Sequence, residues 1–262
     1  MKLCFLSTIN QKLYEEYGKR FIEEFLINAD QNIDLVIYFE KDVPADLKDL
    51  NKKNFSIRAL NHQKHKNFIK FYNNLFEAHG VKIKLINEEN GKKKVDLTSD
   101  YRFNAIKFSH KPFAIYQSIL DLGDKYDYIV WVDADLRCKK RFNSDDIRKF
   151  LPFENECLSL LQRKNDHSEC GFLGFNVRNS LTIKFINRVI EIYSSGEIFS
   201  LKEWHDSFIF DYVIAEFKKE NIKIKNISSK GYETDHPFIY SGLENFFDHL
   251  KGPERKKKGS SF

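Results

Sequence analysis

YDYIVWVDADLRC, residues 126–138, opens on Tyr128-Ile129-Val130-Trp131-Val132, a run that is apolar on both of its faces. A strand without polar alternation suits the middle of a parallel sheet covered by helices on both sides. The run then breaks into Asp133-Ala134-Asp135. Carboxylates at i and i+2 project the same way while the chain stays extended. The carboxyl end of such a strand is where open α/β sheets bind ligands. Paired carboxylates there resist desolvation unless a cation or hydrogen bonds compensate them, and a bound divalent metal does so. The alternative is a turn that uses Asp for local hydrogen bonds.

Composition sets wide bounds. A chain of 262 residues accommodates one large α/β domain or two small ones, and no repeat, Pro-rich linker or low-complexity segment divides it. A hydrophobic content of 42%, with 25 Phe, supplies a core. The net charge of +5 comes largely from Lys251, Arg255, Lys256, Lys257 and Lys258, opposed by Glu254. A charge so localised argues against a general nucleic-acid binder. Cys4, Cys138, Cys157 and Cys170 have no C-x-x-C spacing, and nothing in them requires an oxidising compartment. The start MKLCFLSTIN lacks a signal-peptide pattern. No segment approaches the ~20 apolar residues of a span. The expectation is a cytoplasmic, soluble protein.

Strand (2–7), helix (11–27) and strand (33–39) begin a doubly wound α/β unit. Thr8 and Asn10, in the loop after the first strand, are candidates to touch a nucleotide or simply to form the turn. Residues 44–100 read as an insertion forming the wall of a second substrate site. It contains a helix-like piece at 68–76, a strand at 81–86 and solvated histidines at 62 and 65. Arg102, Lys107, His110 and Lys111 follow among aromatics, with Pro112 in the first turn of a helix running to Leu122. Cations ahead of the Asp pair could offset phosphate charge, or form a solvated helix face.

Beyond the pair, Ser144, Asp145 and Asp146 mark a helix start, and residues 158–161 read as a strand. SECGFLGFN, residues 168–176, places Gly171 and Gly174 where backbone must approach closely. Glu169 and Asn176 are the polar groups at its ends. A helix is expected at 181–193. Ser200 and Glu203 have capping-box spacing ahead of a helix that carries Asp206 early and Asp211 on another face. The end of the chain joins His249, a potential metal ligand, to a tight turn and the block of cations.

Together these pieces resemble the metal-dependent glycosyltransferases of the GT-A fold, whose Asp-x-Asp signature follows an apolar strand as VDAD does here. The tail is similar to the H-x-x-G-x-x-K ending of retaining galactosyl- and glucosyltransferases of the glycogenin and lipopolysaccharide type. His249, Gly252 and Arg255 match its spacing, with Arg for Lys. Glu169-Cys170-Gly171 stands where those families carry N-A-G. EWHDSFIFD, residues 203–211, is similar to the W-H-D-E-S segment of blood-group-type transferases, with Ser207 in place of their proposed nucleophile.

The resemblance implies one α/β domain with a Rossmann-like, mostly parallel central sheet. Its donor half would be 1–135, its acceptor half 136–244, and 245–262 a basic lid. It implies that Asp133, Asp135 and His249 ligate Mn²⁺ or Mg²⁺. Lys251, Gly252, Arg255 and Lys256 would hold the diphosphate of a nucleoside-diphosphate sugar, with Arg102, Lys107 and Lys111 nearby. Asp206 becomes the candidate catalytic or acceptor-orienting carboxylate, and Glu169 a donor or acceptor contact. The acceptor would be a glycan or lipid-linked, in surface polysaccharide synthesis, with retention of configuration favoured. Two other classes stay open: a nucleotidyltransferase, disfavoured because residues 3–18 hold no Gly-rich phosphate loop, and a non-catalytic binding protein using the basic tail on an acidic membrane surface or nucleic acid.

Overall fold

The computed structural model describes residues 1–48, 52–87, 93–234 and 236–249. Its centre is a seven-stranded sheet of order β10-β8-β9-β6-β1-β2-β3. The strands are β1 (Leu3–Ile9), β2 (Ile33–Phe39), β3 (Phe55–Ala59), β6 (Tyr128–Val132), β8 (Glu156–Leu161), β9 (Glu169–Asn176) and β10 (Lys223–Asn226). The pairs β6-β1, β1-β2, β2-β3 and β8-β10 are parallel, and β9 runs antiparallel to both neighbours. This is the mostly parallel α/β sheet that the 128–132 run predicts.

Both faces of that run are buried. Ile129 and Trp131 join Cys4 and Leu6 in one core, under α4 (Gln63–Tyr72), α5 (Ala105–Leu122), α7 (Ser180–Ser194) and α8 (Asp206–Lys219). Tyr128, Val130 and Val132 join Leu3 and Phe5 in the other, against α2 (Lys19–Asn28) and the aromatic group Phe25, Phe142 and Phe247. Removing a large aliphatic or aromatic side chain from water contributes ~1.5–3 kcal/mol. The two cores thus clamp β6 from both sides and fix the point where it ends. The first helix is composite: α1 (Gln11–Leu13) passes through a π-helical turn (Tyr14–Gly18) into α2. Short elements complete the chain, with α3 (Ala45–Lys48) and α6 (Ser144–Arg148) on the surface. A two-stranded ribbon joins β4 (Val81–Asn87) to β5 (Lys93–Ser99), and a second joins β7 (Leu136–Cys138) to β11 (Phe247–His249).

Four local expectations are corrected. Residues 44–100 do not stand apart from the fold: β3 is an edge strand of the central sheet, and α4 packs beside α5. His65 is buried rather than solvated, at 5% exposure, tilted against Phe113 with ring centres 4.8 Å apart. Pro112 is the eighth residue of α5 and not in its first turn; Asn104 caps the helix by accepting the Lys107 N–H. The carbonyl that Pro112 leaves without a helical partner, that of Phe108, accepts the Tyr193 hydroxyl at 3.5 Å. Ser200 and Glu203 form no capping box either. Glu197–Ser200 is a 3-10 turn, α8 begins at Asp206, and His205 caps it by accepting the Phe208 N–H at 3.4 Å. Glu203 turns instead to Arg102, His167 and His205.

Candidate active site

Asp133 begins where β6 stops. Its N–H donates to the Gly171 carbonyl at 3.1 Å, its carbonyl accepts the Leu136 N–H, and the chain turns into β7. That turn aims Asp133 and Asp135 into a cleft of about 1080 Å³ at the carboxyl ends of β1 and β6. β11 then pairs antiparallel with β7, placing His249 opposite Leu136 and Phe247 opposite Cys138. Phe247 seats the ladder against Phe142, with ring centres 5.0 Å apart. The result brings His249 Nε2 to 3.3 Å from Asp135 Oδ1 and 3.7 Å from Asp133 Oδ2, across more than a hundred residues of sequence. A three-residue strand does the joining.

The three side chains offer two carboxylate oxygens and one imidazole nitrogen, all within 4.8 Å of one another. That mixed oxygen and nitrogen set could hold a divalent cation such as Mn²⁺ or Mg²⁺. Burial alone would lower the His249 pKa. The Asp135 and Asp133 carboxylates outweigh it and hold the imidazole above its ordinary value. Behind the ring, Nδ1 lies 3.4 Å from Glu169 Oε1, and both side chains are 4% exposed. The same oxygen accepts the Gly171 N–H at 3.1 Å. Gly171 has to be glycine: a Cβ there would sit 2.6 Å from His249 Cε1. Glu169 therefore lies behind His249, and its described contacts are with that ring and the β9 backbone.

Lys111 joins the metal-ligating candidates to Asp206. Its Nζ stands 2.9 Å from Asp133 Oδ1, 2.5 Å from Asp206 Oδ2 and 3.0 Å from the Cys170 carbonyl. An ammonium has three N–H donors, and these three acceptors occupy them. Burial would lower its pKa, but Asp133 and Asp206 raise it well above the ordinary lysine value. Lys111 thus lines the cleft as a strut that ties Asp133 to Asp206. Trp131 Nε1–H also donates to Asp133 Oδ1 at 2.8 Å.

Thr8, Asn10, Arg102 and Lys107 all line the cleft. Asn10 is held as a cap, its Oδ1 accepting the Leu13 N–H and its Nδ2 donating to Glu40. Arg102 pairs with Asp100 at 2.8 Å and approaches Glu203 at 3.6 Å. Lys251, Gly252, Arg255 and Lys256 lie outside the described residues.

Two features of the cleft escape a linear reading. Tyr17 belongs to the π-helical turn, a distortion frequent at functional sites. It lines the same cleft as the pair, and burial, then the Asp135 and Asp133 charges, push its phenol pKa up. On the opposite wall Glu203 Oε2 lies 2.8 Å from His205 Nε2 and 3.3 Å from His167 Nε2. Burial would raise the Glu203 pKa, but His205, His167 and Arg102 bring it below the ordinary value. This second His–Glu–His group could also offer metal ligands. The cap on α8, however, uses His205 Nδ1 as an acceptor, which leaves Nε2 as the protonated nitrogen donating to Glu203. Hydrogen bonding accounts for that cluster without a metal.

No protein-family model matches the chain, and no curated protein matches it by sequence. Solved structures do match it in three dimensions. The bifunctional glycosyltransferase WbbM, in its apo form, superposes at a TM-score of 0.55 and 13% identity, covering 97% of this chain and 46% of that one. GlyE, an apo glycosyltransferase of Streptococcus pneumoniae TIGR4, gives 0.51 at 10% identity, covering 87% and 46%. The chain spans about half the length of these solved chains. What it shares with them is the fold: a GT-A-like α/β sheet of the kind glycosyltransferases use.

Proposed function

We propose that the protein is a metal-dependent glycosyltransferase that moves a sugar from a nucleoside-diphosphate donor, a UDP-sugar in first place, to a glycan or lipid-linked acceptor. The observation that carries this reading is the meeting of Asp133, Asp135 and His249 at the end of β6, on a fold shared with glycosyltransferases.

Asp133, Asp135 and His249 would hold Mn²⁺ or Mg²⁺, which when bound supplies Lewis-acid neutralisation of the departing diphosphate. The chain's own groups do the rest. Thr8, Asn10 and Tyr17 line the cleft, on the side we assign to the donor. Lys111 fixes Asp133 relative to Asp206, so that donor and acceptor sides keep a constant spacing. Asp206, at the first turn of α8 and lining the cleft, would orient the acceptor hydroxyl. In the transfer, the acceptor oxygen forms the new bond to the anomeric carbon, the old bonding pair leaves with the diphosphate, and the hydroxyl proton passes to the departing diphosphate oxygen. The cations of the tail, Arg255 among them, are suited to that departing charge. Retention follows from the resemblance of the tail, and the cleft volume leaves room for an acceptor beside the donor.

The test is release of UDP or GDP from a panel of nucleotide-sugars by the purified chain, with Mn²⁺ and with chelator. Turnover of one donor, abolished by chelator and by Asp133→Asn, is expected. Metal-independent turnover, or none with any donor, contradicts the proposal.

A further inference from the structure

We propose that the β4–β5 ribbon and the turn that feeds it dock the protein on an anionic lipid surface. Among the described residues the ribbon pairs with no other sheet, and a two-stranded hairpin alone in water is marginally stable. Its two faces differ. Lys82 pairs with Thr98 and Lys84 with Asp96, and the Lys82 ammonium sits 4.5 Å from the ring centre of Phe103. That ring stands edge-on to Trp204, so this polar face looks toward the body. The other face, with Ile83 opposite Leu97 and Val95 beside it, therefore looks away from the body, with the three side chains 51%, 59% and 54% exposed.

The apolar exposure is concentrated there. Of the thirteen large apolar side chains exposed among the described residues, seven fall between positions 71 and 101. Phe71, Leu75 and Phe76 are in the segment leading into β4, and the Phe76 carbonyl accepts the Val81 N–H at 3.0 Å. Charge identifies the occupant. Residues 61–101, which span the docking segment, carry eight Lys against Glu77, Glu88, Glu89, Asp96 and Asp100, and Lys64, Lys66 and Lys70 of α4 are exposed. Protein interfaces deplete lysine, whereas aromatic and aliphatic side chains among lysines are what an anionic bilayer surface selects.

β5 ends two residues before Tyr101, which is 70% exposed and lines the cleft beside Arg102. Docking would hold the cleft mouth at the headgroup plane, where the sugar acceptor would be lipid-linked. That last step rests on the transferase reading; the docking itself does not.

The experiment is co-sedimentation of the full chain with phosphatidylglycerol-containing vesicles and with pure phosphatidylcholine vesicles. It compares wild type, Ile83→Ser/Leu97→Ser and Lys64→Glu/Lys70→Glu, with light scattering and UDP titration on each. The proposal expects wild type to bind the anionic vesicles only. Each double variant should partition about tenfold more weakly or worse, with UDP binding unchanged. The ribbon is overturned as the docking element if wild type stays in the supernatant, or if Ile83→Ser/Leu97→Ser still binds fully, as it would were the basic tail the sole anchor. A wild-type dimer that becomes monomeric in Ile83→Ser/Leu97→Ser, without vesicle binding, would replace the membrane by a second copy. Loss of UDP binding in wild type would sink the transferase reading and leave the vesicle result standing.

Discussion

At the scale of single residues, the site is made by pairs that no local pattern connects. Glu169 and His249 are the clearest. A carboxylate on the far nitrogen of a metal-ligating imidazole fixes its tautomer and orientation, and Glu169 sits 3.4 Å from His249 Nδ1. Glu169→Ala is expected to weaken Mn²⁺ binding by about 10–100-fold, while Glu169→Gln, which keeps an acceptor oxygen, loses far less. Calorimetric titration of Mn²⁺ separates them, and equal affinity in all three proteins would show that Glu169 has no part in placing the ring. A second prediction concerns pH. Burial, with His110 and His62 nearby, pushes His65 down to about 3, below its unfolded value of about 6.5. The unfolded chain then binds a proton that the folded chain refuses, so stability is lost as pH falls from about 6.5 toward 3. The slope is about 1.4 kcal/mol per pH unit. Between pH 7 and pH 5 the stability lost by wild type should exceed that lost by His65→Phe by about 2 kcal/mol. Urea unfolding at the two values measures it, and equal losses would mean His65 is not held neutral. Asp133 and Asp135 are legible in the sequence because an apolar run ends at them. Glu169 is legible as a polar group beside a glycine, but its partner lies 80 positions away, so its service to His249 is not. His167 and Glu203 meet for the same reason unseen.

At the scale of elements, the ladder between β7 and β11 assembles the three candidate ligands, and Gly171 on β9 leaves space for it. Gly171→Ala places a methyl 2.6 Å from the His249 ring. Because the Gly171 carbonyl accepts the Asp133 N–H and its N–H donates to Glu169, the ring is expected to move rather than the strand. Mn²⁺ affinity should fall at least about tenfold, with little change in far-ultraviolet circular dichroism. Unchanged affinity would show that the ladder can slide. Elements with strong periodicity were readable: β1, β2, β6, α2 and α7 follow from apolar spacing. Pro112 misled because its cost is met at a distance, by the Tyr193 hydroxyl on α7. The Ser200-to-Glu203 spacing forms no cap because Glu203 pairs instead with Arg102, His167 and His205. Edge strand β3 was obscured by its partly exposed, weakly alternating sequence, FSIRA.

For the whole molecule, the sheet order places the ends of β1 and β6 side by side and leaves a cleft of about 1080 Å³ above them. β6, like its neighbours β1 and β9, has both of its faces in the two cores, so the Asp pair stands at the end of a firmly held strand. The central claim is that this point binds a nucleotide through a metal. Its most direct test is calorimetric titration of UDP and of GDP, with and without Mn²⁺, on wild type and Asp135→Ala. The account predicts binding of one nucleotide only when Mn²⁺ is present, weakened at least about tenfold in the variant. Binding that ignores Mn²⁺, or survives Asp135→Ala unchanged, would contradict it, and would leave Asp133 and Asp135 as residues of a turn.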